Sequence, residues 1–301
     1  MEVRKVSVVS CELEEELDQN GFRHRGTAIG RMIGAERIGA AVYEADAGVP
    51  IWPYHYHYGV EEWLYVLSGA PVLRDAGGRR ELGRGDLVCF PSGHLGAHTM
   101  EGPGRFIIFS TQKGPPVMSV YPDSDKLSVA PTRWGEEPYD RIMVPRDAGV
   151  DYWYGEGDGG RGEKAEVVRQ PDSAPSPTVV NVSHWEGSLR GSWLDVSALE
   201  LKAGQETPYC YEVGREQWML MLDGTLRVRH PGGQDSAFAG EVLAFPEGLS
   251  GAHQLINRGG DPARALVLST TGLPANVCYP DTGRWLMRNA EGEELPVEPS
   301  R

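Results

Sequence analysis

The sequence predicts an all-β protein built from two similar domains in tandem, and two observations carry that prediction. The first is a repeat at a fixed spacing. Pro53, Tyr54, Tyr56, Trp63, Leu67 and Gly69 recur as Pro208, Tyr209, Tyr211, Trp218, Leu222 and Gly224, an offset of 155 residues. The same offset carries Gly85 to Gly240, Phe90-Pro91 to Phe245-Pro246, and Gly96-Ala97-His98 to Gly251-Ala252-His253. The second is the texture of the chain, with 39 glycines and 22 prolines in 301 residues. They separate short runs of β-branched and aromatic residues, as strands and turns require.

Near the N-terminus, the charged run Glu12–Asp18 reads as a solvated face, with a helical turn as the alternative. No helix-turn-helix pattern precedes the first repeat. In the stretch Pro53–Gly69, His55 and His57 stand two apart, so a strand presents both imidazoles on one face. Glu62 opens the next strand, Glu62–Leu67, which ends at Gly69. Alternation turns only one of Glu61 and Glu62 inward; Glu62 is the inward one, and Glu61 is expected in solvent or in a surface ion pair. Leu64 and Val66 share the face of Glu62 and should form an apolar wall. Tyr54, Tyr56 and Tyr58 alternate with the histidines and point away from them. Trp63 and Trp218 lie on the opposite face and are expected at an inter-barrel or subunit contact.

Hairpin tips fall at Asp75–Gly78 and His230–Gly233, where glycine accepts positive φ. Gly85-Asp86 and Gly240-Glu241 start strands that Pro91 and Pro246 stop. Cys89 sits mid-strand as a buried small hydrophobe. Tyr121-Pro122-Asp123 recurs as Tyr279-Pro280-Asp281 and reads as a structural turn, with Asp123 weighed as a pocket-rim residue. Arg74, Arg105 and Arg264 are either anchors for an anionic substrate or ordinary strand-end charges.

Between the repeats, Asp151-Tyr152-Trp153 is expected to pack on the first domain. The polar Glu156–Lys164 and the proline-rich Gln170–Pro177 form a linker. The expected bounds are residues 1–158 for the first domain, 159–177 for the linker and 178–301 for the second. A net charge of −14 and a pI near 5.1 argue against a nucleic-acid surface. No apolar run is long enough to span a bilayer and no secretory pattern opens the chain, so the expected location is cytoplasmic, with no membrane partner. Cys11, Cys89, Cys210 and Cys278 include no CxxC pair and outline no disulfide framework. Exposed aromatics and barrel edges leave a homodimer open.

The two blocks around the histidines resemble the paired motifs of the cupin superfamily. The first runs His55-x-His57, four residues, Glu62, six residues, Gly69. The second runs Gly85, five residues, Pro91-x-Gly93. There the family pattern places a histidine at position 96, which is Gly96 in this chain, so His98 or His94 must take its part. His98 is the choice and His94 the runner-up. Three imidazoles and a carboxylate (His55, His57, Glu62, His98) suit one divalent iron, manganese, nickel, copper or zinc ion.

The resemblance implies two jelly-roll-like double-stranded β-helix barrels, that is, a bicupin. In the second copy His55 becomes Cys210, His57 becomes Glu212 and Glu62 becomes Gln217; only His98 keeps its identity, as His253. The second barrel is therefore expected to hold no metal, with a Cys210–Glu212–His253 zinc site as the alternative. The resemblance further implies a metal-dependent enzyme on a small-molecule substrate. Oxygenase chemistry is put first; a redox-neutral lyase, decarboxylase or isomerase, or a non-catalytic ligand-binding bicupin, are the alternatives. The reacting group is water or substrate held by the metal, with Glu62 as the candidate base.

Overall fold

The structure, a computed structural model, describes residues 3–111, 116–130, 141–148, 177–183, 185–271, 275–288 and 293–297. The Asp151-Tyr152-Trp153 cluster and nearly all of the expected linker lie outside these residues.

The first barrel is a seven-stranded sheet facing two smaller ones. In spatial order the large sheet holds Val179–Asn181, Asp86–Phe90, Glu62–Gly69, Gly104–Thr111, Ile38–Ala45, Phe22–Thr27 and Glu15–Gln19. One smaller sheet holds Ile142–Pro145, Lys126–Ala130, Val117–Tyr121 and Tyr56–Tyr58; the other holds His98–Glu101, Val72–Asp75 and Gly78–Glu81. All strand pairings are antiparallel. The second barrel repeats the plan around Gln217–Asp223, Ala263–Thr270 and Leu194–Leu201. The register repeats too, since Glu62 pairs with Phe90 and Gln217 with Phe245.

Strand alternation explains why the central strands are apolar on both faces. Leu64 and Val66 turn into the first barrel, where they pack with Leu73, Val88, Phe90, Met100, Phe106 and Ile108. Trp63 and Tyr65 turn the other way, into a core shared by both barrels that includes Phe109, Trp218, Leu220 and Leu268. Trp63 and Trp218 are among the largest fully buried side chains. Sheet packs on sheet, and the inter-barrel seam is itself a hydrophobic core.

Two strands cross the bounds expected from the repeat. Arg4–Ser7, at the N-terminus, pairs with Glu241–Phe245 of the second barrel. Val179–Asn181, after the linker, pairs with Asp86–Phe90 of the first. Each barrel thus takes an edge strand from the segment that leads into the other. The exchange is symmetric in detail: Val8 N–H donates to the Gly240 carbonyl and Val182 N–H to the Gly85 carbonyl, both at 2.8 Å. Gly85 and Gly240 have φ of 90° and 82°, and a Cβ on Gly85 would come within 2.6 Å of Ser183 Oγ.

The Glu12–Asp18 segment is not helical. Glu15–Gln19 forms a strand that folds back on Phe22–Thr27 through Asn20-Gly21, both at positive φ. Asn-Gly is the preferred two-residue hairpin turn, and the charges lie on an exposed edge strand rather than on a helix face. No helix among the described residues is long and apolar enough to cross a membrane.

Candidate metal centre

The backbone brings the conspicuous histidines together before their side chains do anything. His55 and His98 form an isolated antiparallel bridge, each donating its N–H to the other's carbonyl at 3.1 and 2.8 Å. Directly opposed residues share a face, so the two rings lie 5.1 Å apart. His57 is two residues on and emerges on the same side. Glu62 begins the neighbouring strand of the large sheet, opposite Phe90 and Ser110.

The donor atoms of His55, Glu62 and His98 all lie within 4.8 Å of one another. His57 is not in that group but reaches two of its members, its Nε2 lying 3.1 Å from His55 Nε2 and 3.4 Å from Glu62 Oε2. Each imidazole is oriented from behind. His55 Nδ1 lies 2.9 Å from the Pro53 carbonyl and His98 Nδ1 2.9 Å from the Gly96 carbonyl. A carbonyl only accepts, so both Nδ1 atoms carry the proton and both Nε2 atoms present lone pairs to the cluster. His57 Nδ1 meets Ser119 Oγ at 2.9 Å. His98 Nε2 is buried with no hydrogen-bond partner. A buried lone pair left unpaired among other acceptors is what a bound cation relieves.

The electrostatics agree. Burial, followed by the neighbouring imidazoles His57 and His98, holds His55 well below its ordinary pKa, so it stays neutral. Burial also lowers His98. For Glu62, burial alone would raise the carboxyl, but the surrounding histidines, His57 foremost, outweigh it and bring it to about 2. The neutral His55 and His98 nitrogens and one ionised carboxylate fit a divalent cation, with charge to spare for an anionic ligand.

The cluster opens into a cavity of about 740 Å³. Trp52, Ile108, Tyr121, Lys126 and Arg141 line its walls, and the exposed Glu15 and Glu16 stand among its outer residues. The Phe90 ring stacks on His98 at 3.7 Å, closing the cluster from the barrel interior. His24 also lines the cavity, its Nδ1 donating to the Ile51 carbonyl at 2.8 Å. His94, the runner-up, is not among the lining residues.

Several expectations need correction. Glu61 is fully buried, not solvent-facing. Its Oε1 accepts Trp63 Nε1–H at 2.9 Å and the Leu194 N–H at 3.2 Å, and its Oε2 accepts the Ser192 N–H at 2.6 Å. None of the three arginines is a cavity anchor. Arg74 makes a two-bond pair with Asp123 at 2.5 and 2.8 Å, which also fixes Asp123 as a turn residue. Arg105 donates to the Val8 and Cys11 carbonyls, and Arg264 to those of Val182, Ser183 and Trp185. Both therefore fasten the exchanged strands. Cys89 is half-buried, and burial raises its thiol pKa, which keeps it protonated and unreactive.

In the second barrel the backbone bridge survives, between Cys210 and His253, and Phe245 still stacks on His253 at 3.8 Å. The donor cluster does not. Among the described residues, Cys210, Glu212 and His253 form no group close enough to share an ion. Gln217 Nε2 instead donates to Glu212 Oε1 at 3.2 Å and to Ser269 Oγ at 3.0 Å, while Arg215 Nε lies 3.9 Å from Glu212 Oε2. Gln217 stands where the first barrel has Glu62, and Arg215 is the cation nearest Glu212 among these contacts.

Three residues, Ser119, Tyr121 and Glu61, were not marked as functional by the sequence. Ser119 and Tyr121 belong to a strand that the spacing of the histidines does not reach, and Tyr121 stacks on His55 with ring centroids 5.7 Å apart. Glu61 did leave a signal: Glu61-x-Trp63 recurs as Glu216-x-Trp218 in the copy whose metal ligands are gone. A pair retained where His55, His57 and Glu62 are replaced has a task apart from those residues.

Residues 42–110 match the protein family described as Cupin domain. A point mutant of oxalate decarboxylase from Bacillus subtilis is similar over 88% of this chain and 76% of its own, at 16% identity and a TM-score of 0.50. The same enzyme at pH 4.6 is similar at 16% identity, with a TM-score of 0.48 over 88% of this chain and 75% of its own. A sugar phosphate isomerase of the cupin superfamily from Silicibacter pomeroyi shares 24% identity, with a TM-score of 0.35 over 37% of this chain and 74% of its own. No functionally curated protein matches the sequence. The chain thus carries a cupin domain in its first half, and its two-barrel fold is similar over most of its length to that of the two-domain oxalate decarboxylase.

Proposed function

We propose that the first barrel is a metal-dependent oxygenase acting on a small organic substrate, with one divalent ion on His55, His57, Glu62 and His98. One observation carries the reading. Three imidazoles with their Nε2 atoms turned inward, and one ionised carboxylate, converge on a cavity of a size suited to small ligands. A bound ion there would supply Lewis-acid or redox chemistry to a substrate oxygen.

The chain's own residues orient and shield. Pro53, Gly96 and Ser119 hold the three rings, Trp52 and Ile108 give the cavity wall an apolar surface that limits water, and Phe90 backs His98 from the barrel core. What the cavity lacks favours oxygenase over redox-neutral proton transfer. Among its described lining residues the carboxylates besides Glu62 are Glu15 and Glu16, both exposed. A lyase or isomerase working through a carboxylate would need a second one positioned at the cluster, since Glu62 is committed as a ligand; the other titratable groups of the lining, His24, Tyr121 and Lys126, would have to serve instead.

The test begins with elemental analysis of protein purified without a metal-affinity tag, followed by oxygen uptake with a panel of organic acids and phenols. About one equivalent of metal per chain, and oxygen consumed in step with substrate, is the expected result. Turnover without oxygen consumption would move the assignment to a redox-neutral enzyme. No metal after reconstitution would overturn the reading.

A further inference from the structure

We propose that Lys126 selects the substrate, binding a carboxylate of a small organic acid whose other end lies at the His55–His57–Glu62–His98 cluster; the proposal rests on the metal-dependent reading above.

The argument starts from strand register. Val117–Tyr121 and Lys126–Ala130 are antiparallel, with Ser119 opposite Ser128 and Tyr121 opposite Lys126. Residues two apart on a strand and residues directly opposed across a pair share a face, so Ser119, Tyr121 and Lys126 all face one way. Ser119 Oγ meets His57 Nδ1, which identifies that face as the one turned toward the cluster. Val117 and Ala130, on the same face, line the cavity together with Tyr121 and Lys126. The Tyr121 ring stacks on His55 at 5.7 Å, and Lys126 Nζ stands 5.1 Å from the centre of that ring. One aromatic ring therefore separates the ammonium from a candidate ligand.

Among the described residues, no carboxylate answers the lysine's charge. Other cations of this barrel are paired, Arg74 with Asp123, Arg79 with Glu101 and Arg105 with Glu44. Lys126 is half-buried, lies against Tyr121, and has no ion pair with a carboxylate of the described residues. Arg141 lines the same wall and donates to Tyr121 Oη at 3.2 Å, adding to the positive potential. The second barrel is a natural control. There the matching position opposite Tyr279 is Arg284, which is exposed, in a barrel that has lost the donor cluster. A half-buried ammonium favours a partner that is itself charged, and a carboxylate supplies a charge-assisted hydrogen bond. A substrate with one end at the metal cluster and a carboxylate at Lys126 satisfies both ends of the cavity.

The experiment uses the full chain loaded with Mn(II), titrated calorimetrically with malonate, succinate and glutarate, and with their neutral diamides. At least one dicarboxylate should bind. Lys126→Met should weaken it about tenfold or more, the loss expected for one charge-assisted contact. Lys126→Arg should recover most of that, the diamides should bind alike to all forms, and metal content should not change. Equal dicarboxylate affinity in Lys126→Met and wild type would overturn the proposal, as would a wild-type protein that binds none of the three. His57→Ala separates this from the underlying reading: full metal retention in that variant defeats the metal assignment, while the titrations still report on Lys126.

Discussion

Glu61 Oε2 accepts the backbone N–H of Ser192 at 2.6 Å, a hydrogen bond from the first barrel to the second. Its counterpart runs the opposite way: Glu216 Oε2 accepts the backbone N–H of Arg37 at 2.7 Å and of Glu36 at 3.2 Å. Each carboxylate also takes the indole N–H of the tryptophan two residues on, Trp63 or Trp218. The two glutamates form a reciprocal clasp across the shared apolar core. Each receives main-chain donors from the segment leading into the other barrel's first long central strand, Leu194–Leu201 or Ile38–Ala45.

That clasp should be worth several kilocalories per mole. Glu216→Ala leaves three donors in the seam without an acceptor, and we expect a loss of about 3–5 kcal/mol in urea denaturation. Metal content of the folded variant should be unchanged, because Glu216 lies in the second barrel. Gly191→Ala attacks the other half of the clasp, since a Cβ there would sit 2.1 Å from Glu61 Oε1 and 2.6 Å from the Leu194 carbonyl. A denaturation midpoint at the wild-type value in both variants would refute the clasp.

Metal occupancy should divide cleanly between the barrels. His57→Ala is expected to lose the ion and any activity together, whereas Glu212→Ala should keep about one equivalent, measured by elemental analysis. Metal loss from Glu212→Ala would show that the second barrel takes part after all.

The hydroxyl behind His57 should tune affinity without being a ligand. Ser119→Ala removes the group 2.9 Å from His57 Nδ1, and metal affinity should fall roughly tenfold to a hundredfold, measured by competition with a chelator. Ser119→Thr keeps the hydroxyl and should fall less. Unchanged affinity in Ser119→Ala would mean that the ring is held by its strand alone.

Acid should weaken the second barrel through His253. Burial lowers its pKa from 6.5 to about 4, with the bond from Nδ1 to the Gly251 carbonyl opposing only in part. The unfolded chain therefore takes up this proton more readily than the folded one. The stability held above pH 6.5 should drain away as pH falls toward 4, by up to about 3 kcal/mol, and level off below. His253→Asn keeps a donor for Gly251 and removes the titration. Denaturation of metal-loaded protein across this window should show a shallower slope in the variant, and parallel slopes would count against the assignment.

Much of this protein is legible in its residues because the relevant signals are local or repeated. The 155-residue offset exposes two copies of one strand plan, and a period of two places His55 with His57, and Glu62 with Leu64 and Val66, on common faces. The same reasoning places Glu61 and Trp63 on the opposite face, but periodicity names a face and not what covers it. Glu61 therefore looked like a surface charge until the second barrel supplied two backbone donors and a shared core. Arg105 and Arg264 could pass for substrate anchors until the exchanged strands brought carbonyls to them. Lys126 and Tyr121 lie some seventy residues beyond the first histidines, and only antiparallel pairing sets them beside His55. The 155-residue repeat, the strand pattern and the motif resemblance together pointed to the fold and to the donor cluster. Contacts between residues distant in sequence, which depend on how two complete barrels pack, decided the clasp, the strand exchange and the charged wall of the cavity.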